Sequence, residues 1–357
     1  MQFPEENIRA LRELLQGRKN IVLLSHTNPD GDAIGSSLAW RDVMVQMGHT
    51  VTCIVPNKYP YFLDWMPGIE HLTVFKTDTD NVAVKAVEQA DIIFCLDFNS
   101  LGRLEALSEA IADNTTAKRV LIDHHLSPAE RFDIVFSYPH LSSTSILVYA
   151  LIESMWGADA VTRSMAEVLY VGMMTDTGNF SYSTLDPELY RTLAVLAGKG
   201  IDIPRIHNMV YNSFTEGRAR LFGYAINRKM EIFHGGKVAY MSLLEKEMRR
   251  FGFQQGDSEG FVNYPLTIKK VRMAVMFIEH THFIRISLRS RGDVDVNQFA
   301  RKYFNGGGHK NAAGGKSFVS MDETIAHFRR AVEEFAAEGG FRAPRPEPAK
   351  EAEKAHI

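Results

Sequence analysis

Apolar residues fall along the chain in two alternating rhythms. Short continuous runs rich in β-branched residues read as buried strands: Asn20 to Ser25, Thr50 to Val55, Asp91 to Leu96 and Arg119 to Ile122. Around them, apolar residues recur at helical spacing over residues 5–17, Ala33 to Met47, Val82 to Gln89 and Leu104 to Ala112. Regular alternation of strand and helix predicts an α/β fold with a doubly wound, mainly parallel sheet. Helices dominate from Ser142 to about Arg228, including one over Thr162 to Met174. After Lys229 the rhythm changes. Short strands are expected at Glu231 to Phe233, Val238 to Leu243, Val271 to Glu279 and Phe283 to Arg289, and a helix over Met321 to Ala337 closes the pattern. That is a smaller α+β domain. The organisation read from the pattern is a first domain over 1–190, a helical linker over 191–228, a second domain over 229–338 and a disordered tail over 339–357. An active-site cleft is expected between the domains.

Composition narrows the function classes. The 357 residues are 45% hydrophobic and 23% charged, as in ordinary globular proteins, with room for two cores. A net charge of −3 gives no global attraction for long nucleic acid. Cys53 and Cys95 both lie in apolar strand-like runs and read as reduced core residues of a cytoplasmic protein. No run approaches the ~20 apolar residues that span a bilayer, so no membrane partner is expected. Trp40, Trp65 and Trp156 read as packing residues, and His280 and His282 as a polar hairpin rim.

The chemistry sits where strands end. The first strand runs into His26-Thr27-Asn28-Pro29-Asp30-Gly31-Asp32, a turn-rich loop before a helix. A cap explains one aspartate here, with Asp32 read as the N-cap before Ala33; it does not explain the histidine and the second aspartate. Later strands end in Asp97 and in Asp123-His124-His125, and the helix over Thr162 to Met174 ends at Asp176. In an open α/β sheet, ligands gather at the carboxyl ends of strands. So many acidic groups in one cleft require cations. Oxygen-rich ligation with some imidazole and no thiolate points to manganese or magnesium. The surplus of ligands implies two metals sharing a bridging carboxylate, with a water between them as nucleophile for phosphate-ester hydrolysis.

These ordered motifs, with Leu96-Asp97 and Thr175-Asp176-Thr177-Gly178, resemble the four motifs of the DHH phosphoesterases. Gly306-Gly307-Gly308-His309 with Ala312-Ala313-Gly314, preceded by Ser287 to Arg291, resembles the DHH-associated C-terminal domain. The resemblance implies that His26, Asp30 and Asp97 hold one metal, and Asp32, Asp97, His124 and Asp176 the other. It makes Asp97 the bridge, gives Asp123 the orientation of the neighbouring imidazoles, and turns His125 towards the substrate phosphate. Asp97, Asp123 and His125 are thus the catalytic candidates. The usual cofactor is two Mn2+, with Mg2+ or Co2+ as substitutes.

The two-domain length is similar to the NrnA-like branch of small oligoribonucleases, which also remove the 3′-phosphate of pAp. The partners implied are short RNA or DNA oligonucleotides of 2–5 nucleotides, linear dinucleotides and pAp, and not long duplexes; a homodimer is left open. The alternatives are an enzyme of cyclic-dinucleotide pathways acting on pApA, pGpG or c-di-AMP, and a non-catalytic nucleotide sensor. The chain departs from many relatives in having Ser143-Thr144-Ser145-Ile146 where they carry Ser-Thr-x-Glu, a position read as peripheral to the metals. In the second domain, Gly306, Gly307 and Gly308 free the backbone and can present N–H groups to an anion, with His309 and Lys310 beside them. Arg289 and Arg291 alternate on a predicted strand and so share a face. The resemblance makes them a substrate clamp, with Arg103 a further phosphate-binding candidate near the metals.

Overall fold

A computed structural model describes residues 1–126, 128, 132–181 and 185–341. Of the disordered tail expected over 339–357, residues 342–357 lie outside the described residues, whereas Phe341 is buried in the core of the second unit and its carbonyl accepts from Arg272. The chain divides into two compact units, Met1–Thr215 with Gln254–Asp257, and Glu216–Phe253 with the chain from Ser258 onward. The division falls inside the interval 191–228 read as a linker. Among the described residues no helix is long and apolar enough to cross a membrane.

The first unit is built on strands β1 (Asn20–Leu24), β2 (Thr50–Val55), β3 (Leu72–Val74), β4 (Ile92–Leu96), β5 (Lys118–Asp123) and β6 (Ile134–Ser137), interleaved with α1 (Glu5–Leu14), α2 (Gly31–Gln46), α3 (Val82–Glu88) and α4 (Leu107–Asp113). Helices α5 (Thr144–Trp156), α6 (Arg163–Asp176), α7 (Pro187–Gly198) and α8 (Ile203–Tyr211) follow. The sheet is parallel throughout, in the order β3-β2-β1-β4-β5-β6. Its central strands are buried on both faces, which is why they read as unbroken apolar runs. Two edge strands do not show in the pattern: β3 has three residues and β6 four. Strands this short carry no period to detect.

Strand order reverses at β1, which pairs β2 on one side and β4 on the other. Chains leaving the carboxyl ends of β1 and β4 therefore diverge to opposite sides and leave a crevice between them. His26 follows β1 and Asp97 follows β4.

Helix α2 is enclosed on nearly all sides, its first ten residues all buried. It crosses α6 at two glycines. A Cβ on Gly35 would collide with the Val168 carbonyl, and one on Gly172 would stand 2.8 Å from Asp32 Oδ1 and clash with Ser145. This approach brings the start of α2 against α5 and α6, which carry Thr144, Ser145 and Asp176.

The second unit begins with α9 (Glu216–Tyr224) and contains β7 (Glu231–Phe233), β8 (Val238–Leu243), α10 (Glu245–Arg250), β9 (Met273–His280), β10 (Phe283–Ser290), α11 (Val296–Tyr303), β11 (Gly307–His309), β12 (Ala312–Ser317) and α12 (Met321–Ala337). Its sheet is mixed, in the order β11-β12-β10-β9-β8-β7, with only β8 and β9 parallel. Helices α11 and α12 cover one face through Phe299, Phe328 and Val332. Leu221, Phe261 and Val262 cover part of the other, over Met241, Ala274 and Met276.

Candidate metal centre

The loop after β1 is shaped by its neighbours. Asn28 takes a left-handed backbone, φ 53°. Asn57, from the loop after β2, accepts from the Thr27 hydroxyl at 2.8 Å and the Asn28 N–H at 2.7 Å, and donates to Asn28 Oδ1 at 3.1 Å. The helix cap is Asp30, not Asp32 as expected from the sequence. Asp30 Oδ1 accepts from the N–H groups of Asp32 and Ala33 at 3.0 and 3.1 Å, so α2 begins at Gly31 and not at Ala33.

Asp32, freed from capping, is fully buried and takes its donors from across the fold. The N–H groups of Thr144 and Ser145, at the start of α5, reach its two oxygens at 2.6 and 2.8 Å. A helix N-terminus suits a carboxylate because its first N–H groups have no partner in the helix. Thr144 also donates its hydroxyl to Asp97 Oδ1 at 2.9 Å. Thr144 and Ser145 therefore touch two of the acidic groups directly, while Ile146, the position read as peripheral to the metals, is buried in the core.

Asp97 is the hub. It is buried and left-handed, φ 65°, a conformation aspartate tolerates better than most residues. Ligand atoms of His26, Asp30 and Asp97 lie within 4.8 Å of one another; so do those of Asp32, Asp97 and His124, and those of Asp97, Asp123 and His125. Asp97 belongs to all three groups. His124 Nε2 stands 3.5 Å from Asp97, 3.2 Å from Asp176 and 3.9 Å from Asp32.

Both imidazoles expose the same nitrogen to these carboxylates. His26 Nδ1 meets the Thr27 carbonyl at 2.8 Å and His124 Nδ1 the Leu141 carbonyl at 3.2 Å. A carbonyl only accepts, so each Nδ1 carries the proton and each Nε2 is left facing inward. His125 differs. Its Nδ1 donates to Asp123 Oδ1 at 2.7 Å, and its Nε2 accepts from Arg103 Nη1 at 3.2 Å, the pattern of the neutral ring. The Arg103 carbonyl in turn accepts from Thr27 N–H at 2.8 Å.

Electrostatics favour a cation at this group. Burial and the charges of Asp97 and Asp176 push the Asp32 carboxyl well above its usual range. Burial also opposes ionisation of Asp97, but its bonds to His124 and His26 outweigh that and hold it well below. Burial lowers His124, yet Asp97 and Asp176 keep it well above the imidazole range. Carboxylates buried this close together fit a divalent cation, which offsets their mutual repulsion. The donors are oxygen and imidazole without sulfur, and Asp123 Oδ2 is buried with no partner among the described residues. The residues present fit a hard or borderline divalent metal.

In the second unit, β10 ends at Ser290. Gly292, with φ 61°, turns the chain, and Arg291 lies past the strand, exposed. The shared-face argument therefore holds for Arg289 and not for Arg291. The glycines allow close strand approach: a Cβ at Gly306 would strike the Gly314 carbonyl, and one at Gly308 would stand 2.8 Å from Ala313 Cα. The N–H of Gly306 donates to Ala300 at 3.1 Å and that of Gly308 to Asn297 Oδ1 at 3.0 Å, so both have protein acceptors. Gly307 and His309 lie on β11, paired with β12, and Lys310 pairs with Asp293 at 3.1 Å.

Comparison with known proteins agrees with this architecture. The sequence model of the DHH family, N-terminal domain, matches residues 20–173, and that of the DHHA1 domain matches 235–338. A protein of Thermus thermophilus described as bifunctional oligoribonuclease and PAP phosphatase NrnA is 25% identical over 342 residues, covering 94% of this chain and 96% of its own length. Its namesake in Bacillus subtilis is 29% identical over 311 residues, covering 85% and 90%. A crystal structure of an exopolyphosphatase-related protein from Bacteroides fragilis is 40% identical, with a TM-score of 0.87, covering 94% of this chain and 98% of its own.

Proposed function

The chain belongs to the DHH family of phosphoesterases, and on that premise we propose that it is a manganese-dependent hydrolase of very short oligonucleotides that also removes the 3′-phosphate of pAp. One observation carries the reading. Carboxylates and imidazoles from the ends of β1, β4, β5 and α6 meet around Asp97, with two histidines presenting Nε2 inward. Under this reading His26, Asp30 and Asp97 would hold one cation, and Asp32, Asp97, His124 and Asp176 the other. Bound there, divalent cations supply Lewis acidity that eases deprotonation of the attacking water and neutralises phosphate charge.

The chain's own residues do the rest. Thr144 and Ser145 fix both oxygens of Asp32, and the Thr144 hydroxyl fixes Asp97, so the donor set is held before substrate arrives. Asp123 aims His125, whose Nε2 accepts from Arg103 and so holds that guanidinium in place, and the other N–H groups of Arg103 would take a phosphate oxygen. Arg289 would take a second phosphate. The names of the Thermus and Bacillus relatives support oligoribonucleotides and pAp as substrates. Cys53 and Cys95 are both buried in apolar strands, which suits a reducing compartment, and we place the enzyme in the cytoplasm.

The test is a panel of pAp, pApA, pGpG, c-di-AMP and 2–5-nucleotide RNA with Mn2+, repeated with Asp97→Ala. Hydrolysis of pAp and the short RNAs, reduced at least ~10²-fold in the variant, is expected because Asp97 belongs to each of the three carboxylate-containing donor groups. Turnover of c-di-AMP in preference to the short RNAs would move the enzyme to cyclic-dinucleotide turnover. Inertness towards the whole panel would make it a sensor.

A further inference from the structure

Within the second unit, Phe283, Arg285, Ser287 and Arg289 share one half-buried face of β10, while Ile284, Ile286 and Leu288 point into the core. Register sets Lys316 of β12 opposite Arg285, Gly314 opposite Ser287 and Ala312 opposite Arg289. The face thus has cations at both ends and a floor of small residues between them. Four residues of extended chain separate the ends by about 13 Å.

The far pair is held in place. The Phe283 ring carries Lys316 Nζ 4.9 Å above its centroid and stacks on His280 at 4.9 Å and 14°. Arg285 donates to Ser258 Oγ at 3.0 Å and Arg289 to the Leu288 carbonyl at 3.0 Å. The Nε of each guanidinium is buried with no hydrogen-bond partner, and among the described residues neither has a carboxylate partner. A fixed guanidinium with a buried orphan donor and no counter-charge is a site for an anion. One residue past the end of β12, Phe318 is 71% exposed, the kind of ring on which single-stranded bases stack.

We propose that Arg285 and Lys316 form a second phosphate subsite, which takes a backbone phosphate of an oligonucleotide lying along β10 and β12 from Arg289. The subsite rests on the oligonucleotide reading above and adds to it a preference set by length. Phosphates of an extended single strand recur about as often as alternate strand residues, roughly 7 Å. The far pair therefore meets the second phosphate along from Arg289, which pAp and dinucleotides do not reach.

The experiment compares wild type with an Arg285→Ala/Lys316→Ala variant, using Mn2+ and three substrates: a 5′-phosphorylated pentanucleotide, the matching dinucleotide and pAp. KM for the pentanucleotide is expected to rise ~10-fold, the loss of one charge-assisted contact, with kcat unchanged and both constants for the shorter substrates unchanged. An equal change for all three substrates, or none, overturns the subsite. Anisotropy of a labelled pentanucleotide reads binding independently of turnover. If wild type binds it and the variant binds it ~10-fold less while nothing is hydrolysed, the hydrolase reading fails and the subsite stands. If wild type binds pentanucleotide no better than dinucleotide, the subsite fails. Lys316→Ala alone, at an exposed side chain, carries the same test should the double variant not fold.

Discussion

The Thr144 hydroxyl donates to Asp97 Oδ1 at 2.9 Å, joining the first turn of α5 to the acidic residue after β4. The same residue's N–H holds Asp32. Thr144→Val keeps the shape and the N–H but removes the hydroxyl. A hydrogen bond to a charged group contributes ~1.5–3 kcal/mol, so affinity for Mn2+ is expected to fall about 10-fold or more, measured by calorimetric titration. An unchanged affinity would show that Asp97 is positioned by other contacts.

Removing divalent ions should destabilise the protein. Buried Asp32, Asp97 and His124 interact unfavourably when only protons balance them. A ligand at about 100 times its Kd stabilises by ~2.7 kcal/mol. Thermal scans after dialysis against EDTA should show a lower midpoint, and added Mn2+ should restore it. Asp32→Asn should abolish most of the restored shift.

Gly172 tests the helix crossing that builds the site. An alanine there meets Ser145 and stands 2.8 Å from Asp32 Oδ1. Overpacking of this kind costs ~1–3 kcal/mol, so Gly172→Ala should lower the denaturant midpoint and weaken metal binding together. Gly223→Ala is the control, since its added Cβ meets nothing within 4 Å. Equal effects from the two variants would remove the special role of the crossing.

Cys53 gives a prediction in pH. Burial pushes its thiol up to about 12. The folded protein therefore keeps this proton at pH values where the unfolded chain has lost it, and stability drains away as pH rises above the ordinary thiol range. Native protein should be almost unreactive towards a thiol reagent at about pH 8, just below the ordinary thiol pKa, and reactive once unfolded. Fast labelling of Cys53 in the native state would contradict its burial.

Much of this was legible in the sequence because long, doubly buried strands announce themselves as apolar runs, and the residues ending β1, β4 and β5 stand next to them in the chain. What stayed hidden depends on contacts between distant segments. Whether Asp30 or Asp32 caps α2 is undecided by Asp30-Gly31-Asp32 itself; it is settled by Thr144 and Ser145, which draw Asp32 away from 112 and 113 residues downstream. Ser143-Thr144 before an apolar run did signal a helix start, but not which anion that start would meet. Asn57 gave no signal at all, being one polar residue in a proline-rich loop. Arg291 fell off its strand because the turn at Gly292 comes sooner than alternation implied.

The donors to Asp32 lie on α5, not on its own loop, and this limits what the first motif can do in isolation. A fragment carrying only the His26–Asp32 loop and its flanking strand and helix, or the same loop grafted onto another sheet, would retain the acidic side chains without the amides that orient one of them. Such a transplant is expected to bind divalent ions no better than an unstructured acidic peptide. The unit of inheritance for this centre is the whole first sheet together with α5 and α6.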